Sequence, residues 1–176
     1  MMSLQIIQAK PNPAGKDTSK DQNGSGSNRP EQLFGEWVDV KNVGNDEVHF
    51  PTMQVRHAIF DETCHTTGAL ELYWIAANYD FLQPGQVLRI HAGRRKDAHL
   101  MSAEDQTGAD WHGYAESDDF ILNNRCGDKI VLSWQDASDH IHQDWACYAP
   151  NPPQELILKR SGNLLAGAVV GSDVNQ

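Results

Sequence analysis

The sequence predicts an all-β domain, a β-sandwich, because short alternating strand patterns follow turn-forming residues and apolar stripes at helical spacing are absent. The alternation is clearest in Val87–His91 and in Lys129–Trp134. Pro84–Gly85 precedes the first pattern and Gly127–Asp128 the second, and both dipeptides favour turns. These features indicate strands joined by tight turns rather than a helical or mixed fold.

Further strands are expected where the chain alternates or becomes continuously apolar. They cover Leu4–Ala9, Glu36–Lys41, Leu70–Ala77, Ile141–Tyr148 and Leu156–Leu158. Ile130, Leu132 and Trp134 alternate along one strand and are expected to face the interior. The run Leu70–Ala77, apolar apart from Glu71, is typical of a strand buried on both sides or packed beside the final sheet.

The length of 176 residues fits one domain with a sizeable core. We assign this domain to residues 1–154 and expect a C-terminal extension over 155–176 that holds at most one short strand. Residues 14–32 consist mostly of Gly, Ser, Asn, Asp and Lys, so they are expected to form a flexible loop. Residues 94–119 are mostly polar, which predicts a long connection with one short helix near Ala98–Met101.

The net negative charge of the chain bears on which kinds of partner it can bind. The chain has 24 acidic and 14 basic residues and a formal net charge of -10, which disfavours nucleic acid because phosphates are usually held by Lys and Arg. Met1–Lys10 does not have the pattern of a signal peptide, and no apolar run is long enough to span a bilayer. The expectation is a soluble protein without membrane insertion, cytoplasmic by default, or secreted if a leader has been trimmed.

The cysteines leave their pairing open. Cys64, Cys126 and Cys147 are an odd number, so at least one thiol is unpaired within the chain. A disulfide between two of them requires an oxidising compartment. Cys147 lies in an apolar run and is expected first to be a small buried residue and second a bridge partner.

Several motifs occur together in the order seen in one known family. They are Asn12–Gly15, Glu36–Asn42, Pro84–Gly85, Leu88–Gly93, Asn123–Asn124 and Gly127–Leu132. In this order they resemble lamin tail domains, most closely the stand-alone bacterial type, over about Ile6 to Tyr148. The resemblance implies an immunoglobulin-like β-sandwich with a non-catalytic role as an interaction or scaffold module. Phe50–Met53 replaces the usual Leu-Ser-Gly-Trp, and the longer loops differ, so a shared binding surface does not follow.

One histidine pattern raises the alternative of a metal-dependent enzyme. His140, His142 and Asp144 alternate along a predicted strand and share one face, and imidazole and carboxylate groups are zinc ligands. No histidine follows Asp144 to complete the set found in metallo-hydrolases. A solvated outer strand face is the simpler interpretation, and we expect no metal and no cofactor.

The 94–119 connection is the predicted contact surface. Arg94, Arg95 and Lys96 form a basic cluster, which also leaves weak phosphate or nucleic-acid binding as a further alternative. Trp111, His112 and Tyr114 add aromatic groups of the kind that anchor protein interfaces. The sequence lacks a nucleophile elbow and a phosphate-binding loop. It therefore predicts a non-enzymatic module that binds an unknown protein partner.

Overall fold

A computed structural model describes residues 3–16 and 28–167, and this part of the chain is mostly β-strand. The strands are β1 Leu4–Lys10, β2 Trp37–Asn42, β3 Val48–His49, β4 Gln54–Phe60, β5 Thr66–Ile75, β6 Phe81–Leu82, β7 Val87–His91, β8 Trp111–Tyr114, β9 Asp128–Gln135, β10 Ile141–Tyr148, β11 Leu158–Ser161 and β12 Leu164–Ala166. Two short α-helices, α1 Pro30–Leu33 and α2 Ala103–Gln106, and two 3₁₀ segments, Phe50–Thr52 and Arg95–Leu100, complete the elements. No helix in the described ranges is both long and apolar enough to cross a membrane.

Ten strands form one sheet in the order β5-β4-β9-β10-β12-β11-β1-β2-β7-β8, and β3 pairs with β6 in a small second sheet. The large sheet curls into a barrel-like shape, so that its edge strands β5 and β8 approach each other. Trp74 of β5 lies directly over Gly113 of β8, where a Cβ would come within 2.9 Å of the indole nitrogen. Glycine at position 113 therefore permits this close approach.

The interior confirms the predicted inward faces. Ile130, Leu132 and Trp134 of β9 are almost completely buried, and β10 pairs with β9 as an antiparallel hairpin partner. The cluster continues through side chains from both halves of the sheet, including Leu4, Ile6, Val38, Val40, Val55, Leu88, Ile90 and Ala146. Burial of this kind stabilises the fold by about 25 cal/mol per Å² of apolar surface removed from water.

The C-terminal extension contributes two strands to the large sheet, where at most one short strand was expected. β11 and β12 form a hairpin that lies between β10 and β1. Arg160 of β11 forms hydrogen bonds with both carboxylate oxygens of Asp144 on β10 and with the carbonyl oxygen of Ile6 on β1. One domain therefore continues at least to residue 167, because these bonds join the hairpin to both neighbouring strands.

The connection 94–119 is more structured than its polar sequence indicates. It contains a 3₁₀ segment at Arg95–Leu100, helix α2 and strand β8, which pairs in parallel with β7. The predicted single helix near Ala98–Met101 overlaps the first of these, but strand β8 was missed. Its four residues alternate too briefly to be recognised as a strand before the tertiary context is known.

The predicted flexible loop 14–32 is ordered at both described ends. Pro30 begins helix α1 at the position where its missing amide hydrogen is least costly. At the other end, the Lys16 Nζ group donates to Glu36 Oε1 at 2.7 Å and to the carbonyl oxygen of Leu122 at 2.6 Å. Residues 17–27 lie outside the described part of the chain.

One pair of cysteines forms a disulfide. Cys64 precedes β5 and Cys126 precedes β9, and their sulfur atoms are bonded across 62 residues of sequence. Cys147 is a free thiol on β10, half-buried rather than fully enclosed. The sulfur atom of Cys147 lies 3.6 Å from the carbonyl oxygen of Asn163. Of the two expectations for Cys147, the bridge is wrong and the burial is only partial.

Strand β5 differs most from its prediction. The run Leu70–Ala77 was expected to be buried, yet β5 is an edge strand in which only Tyr73 and Trp74 are buried. Leu70, Leu72 and Ile75 are exposed. The expectation is wrong because apolar residues on both faces of a strand do not show that other strands cover both faces.

Candidate binding surface

The predicted contact loop keeps few of its side chains free. Arg94 forms two hydrogen bonds with the Asp118 carboxylate, which raises the pKa of Arg94 and lowers that of Asp118. Arg95 lies over the ring of Tyr114, 5.3 Å from its centroid. Arg95 and Lys96 are exposed, whereas Arg94 is half-buried. Of the basic cluster, Arg94 and Arg95 thus contact their own loop, and Lys96 remains exposed.

The aromatic residues of this connection face the domain. Trp111 packs edge-on against Phe50 and donates its indole hydrogen to Gln86. His112 Nδ1 lies 2.9 Å from Nε2 of His91, whose own Nδ1 lies 2.7 Å from the carbonyl oxygen of Phe34. Burial lowers the pKa of His91 to about 3, so this ring is neutral at physiological pH. These contacts join β8 to the domain.

The predicted metal-binding face does not converge. His142 Nε2 lies 2.7 Å from Asp136 and stacks on Trp134, while His140 precedes β10 and is exposed. Asp144 is buried, accepts a hydrogen bond from the Ile6 amide and pairs with Arg160. The expected solvated face is therefore wrong, because β10 directs His142 and Asp144 inward.

No group of three His, Cys, Asp or Glu side chains within residues 3–16 and 28–167 has an arrangement that could hold a metal ion.

His57, which the sequence analysis did not select, lies in a buried polar cluster. His57 Nδ1 is 2.9 Å from Asp128, and Nε2 is 3.5 Å from Glu71, so β4 is tied to β9 and β5. Burial lowers the pKa of His57, but the hydrogen bond and charge of Asp128, with Glu71 and Glu36, outweigh it and hold this pKa above 6.5. The nearly complete burial of His57 favours a structural role.

Replacing Asp128 with Asn is expected to move the pKa of His57 from above 6.5 to below it, because burial remains while the partner charge is lost. The raised pKa means that wild-type His57 stabilises the fold fully below about pH 6.5, and that this contribution is lost as pH rises through the folded-state value. NMR titration of the imidazole nitrogens measures both values. A wild-type value at or below 6.5 would refute the assignment.

An apolar surface covers the outer face of four adjacent strands. Leu72 is opposite Arg56, Arg56 is opposite Val131, and Val131 is opposite Trp145, so the four lie in one row across β5, β4, β9 and β10. The outer apolar surface consists of this row's Leu72, Val131 and Trp145 together with Leu70, Cys147 and Leu164. Four of its members, Leu70, Leu72, Trp145 and Leu164, are between 41% and 48% exposed.

Two positively charged side chains lie in or beside the outer apolar surface. Arg56 lies within the row, and Lys129 lies over the ring of Trp145 at 4.7 Å from its centroid. Neither side chain forms an ion pair in the described part of the chain. A chain of net charge -10 thus places two unpaired cations on an exposed apolar face.

Part of the outer apolar surface could have been predicted from the sequence. Leu70 and Leu72 were noted as apolar, but their exposure depends on β5 being an edge strand, which follows only from the strand order. Trp145 alternates with the buried Asp144 and Ala146, so period-two patterning could have identified it as outward-facing.

Neither a family model nor a curated protein sequence matches this chain.

Proposed function

We propose that this protein is a non-catalytic protein-binding module and that the outer apolar surface contacts its partner. The observation that carries the proposal is the row across four strands with its half-exposed Leu72 and Trp145. Large contiguous apolar areas on soluble proteins commonly mark interaction sites. Trp and Arg, both present in this row, are also enriched among interface residues that dominate binding energy.

The proposed fold is an immunoglobulin-like sandwich of the lamin tail type. Two four-stranded halves, β5-β4-β9-β10 and β1-β2-β7-β8, enclose the common core, with the β11–β12 hairpin between them. Tyr73 of β5 donates a hydrogen bond to the carbonyl oxygen of Ile90 on β7, which joins the two halves across the interior. This arrangement, and the order of the motifs along the sequence, support the resemblance to lamin tail domains.

The proposed partner presents apolar side chains flanked by carboxylates. Arg56 and Lys129 favour acidic groups at the edges of the contact, while Leu70, Leu72 and Trp145 bury apolar ones. The rest of this acidic chain repels such a partner, so the charge pattern directs it to this face. The 94–119 contact loop is the competing location.

The test compares two double variants of the purified chain. Leu72→Glu/Trp145→Glu disrupts the outer apolar surface, whereas Arg95→Ala/Lys96→Ala disrupts the exposed part of the loop. Proteins retained by the wild type are quantified by mass spectrometry, and each candidate is then purified and titrated directly. We expect the first variant to lower affinity by about tenfold or more and the second to leave it unchanged, as for interface anchors against peripheral charges.

Two outcomes would contradict the proposal. Affinity lost only in the loop variant would place the contact at residues 94–119. A concentration-dependent dimer that disappears in Leu72→Glu/Trp145→Glu, observed by sedimentation velocity, would identify a second copy as the occupant instead of an acidic partner.

A further inference from the structure

An apolar depression of about 470 Å³ lies at one end of the outer face, between the start of β5 and the strands β4, β9 and β10. Ala58, Phe60, Ala69 and Leu70 supply its apolar walls. Small-molecule sites in proteins have volumes of about 300–1,000 Å³ and are lined mainly by such side chains. The size and lining of the depression therefore fit a small apolar ligand.

The depression arises from the local irregularity of β5. Between the pairs Ala58–Leu70 and Phe60–Thr66, β5 has two more residues than β4, so its backbone leaves the regular ladder. Gly68 lies in this segment with φ +80°, and a Cβ there would have no atom within 4 Å. The strand therefore bends around open space without filling it.

One cation without an ion pair borders this space among the described residues. Lys129 lines the depression and forms no ion pair within 3–16 and 28–167. Asp128 also contributes to the lining, but its side chain is completely buried and bonded to His57 on the inside. A ligand in the depression thus meets the charge of Lys129 rather than that of Asp128.

We propose that this depression binds an apolar carboxylic acid, with its hydrocarbon part against Phe60 and Leu70 and its carboxylate beside Lys129. Apolar burial supplies the attraction, and Lys129, the one basic residue that lines the depression, selects the anion. The depression shares Leu70 and Cys147 with the outer apolar surface and Lys129 with its edge, whereas Leu72 belongs to that surface and does not line the depression. A change at Leu72 therefore distinguishes ligand binding from the protein contact.

The free thiol of Cys147 provides the reporter, because it lines the same depression. Decanoate is titrated against the purified full chain while the rate of Cys147 alkylation by neutral iodoacetamide is measured. The expected result is saturable slowing of alkylation, with decylamine of the same chain length ineffective. Constant alkylation across the decanoate titration would overturn the proposal.

Three variants separate the causes. Lys129→Met keeps an apolar stem and is expected to weaken decanoate binding by about tenfold or more, as for loss of an ion pair in an apolar site. Ala58→Leu fills the depression and is expected to abolish the slowing, and Leu70→Ser provides a second disruption if Ala58→Leu fails to fold. Leu72→Ser is expected to bind decanoate as the wild type does. Equal binding by Lys129→Met would overturn the role of the carboxylate, and loss in Leu72→Ser alone would move the ligand to the protein contact surface.

Discussion

Replacing Arg89 with Met is expected to lower the free energy of unfolding by about 3–5 kcal/mol, because it leaves a buried carboxylate without its partner. Arg89 forms two hydrogen bonds of 2.8 Å with Asp39, and both residues are buried. The guanidinium carbon also lies 3.8 Å from the ring centroid of Trp37. Urea unfolding of the variant and the wild type measures the difference.

Two controls define this result. Arg125→Met, at an exposed arginine with one backbone hydrogen bond, is expected to change stability by less than about 0.5 kcal/mol. Asp39→Leu/Arg89→Met removes both charges and is expected to be more stable than Arg89→Met alone, because no unpaired buried ion remains. A double variant less stable than the single one would contradict the assigned cause.

Removing the disulfide is expected to have a comparable effect. Cys64→Ala/Cys126→Ala releases a cross-link across 62 residues, and the chain-entropy estimate for a loop of this length is about 4 kcal/mol. The measurement is thermal and urea unfolding, with the wild type in reductant as a second comparison. Cys147→Ser is the matched control and should lie within about 1 kcal/mol of the wild type. A double variant as stable as this control would show that the cross-link contributes little.

The alternation of residues in the sequence predicted the strands whose two faces differ in polarity. β9 and β10 were predicted because Ile130, Leu132 and Trp134 recur at every second position and a turn separates the two strands. The same reasoning missed β8, which is four residues long and pairs in parallel with β7. Parallel pairing is non-local, so the flanking sequence contains no turn that announces it.

The buried charges were beyond sequence reasoning for a related physical reason. Asp39 and Arg89 are 50 residues apart and pair only because β2 and β7 are neighbours in that register. Alternation along a strand places Asp39 on the face opposite Val38 and Val40, yet all three are buried. A charged residue in a strand reads as solvent-facing until its partner is known.

The outer apolar surface was not predicted from the sequence. The contact residues within 94–119 were predicted because they are basic or aromatic. In the structure, Arg94, Trp111 and His112 form contacts within the domain. Leu72 and Trp145 were available in the sequence, but they come together only through pairing across β4 and β9. Strand order, rather than residue type, assembles this surface.

Hydrogen–deuterium exchange of the protein with and without its purified partner locates the contact most directly. We expect slowed exchange in peptides that cover β5, β9 and β10, with residues 94–119 unchanged. Slowed exchange confined to residues 94–119, with β5 and β10 unaffected, would contradict the outer apolar surface as the binding site.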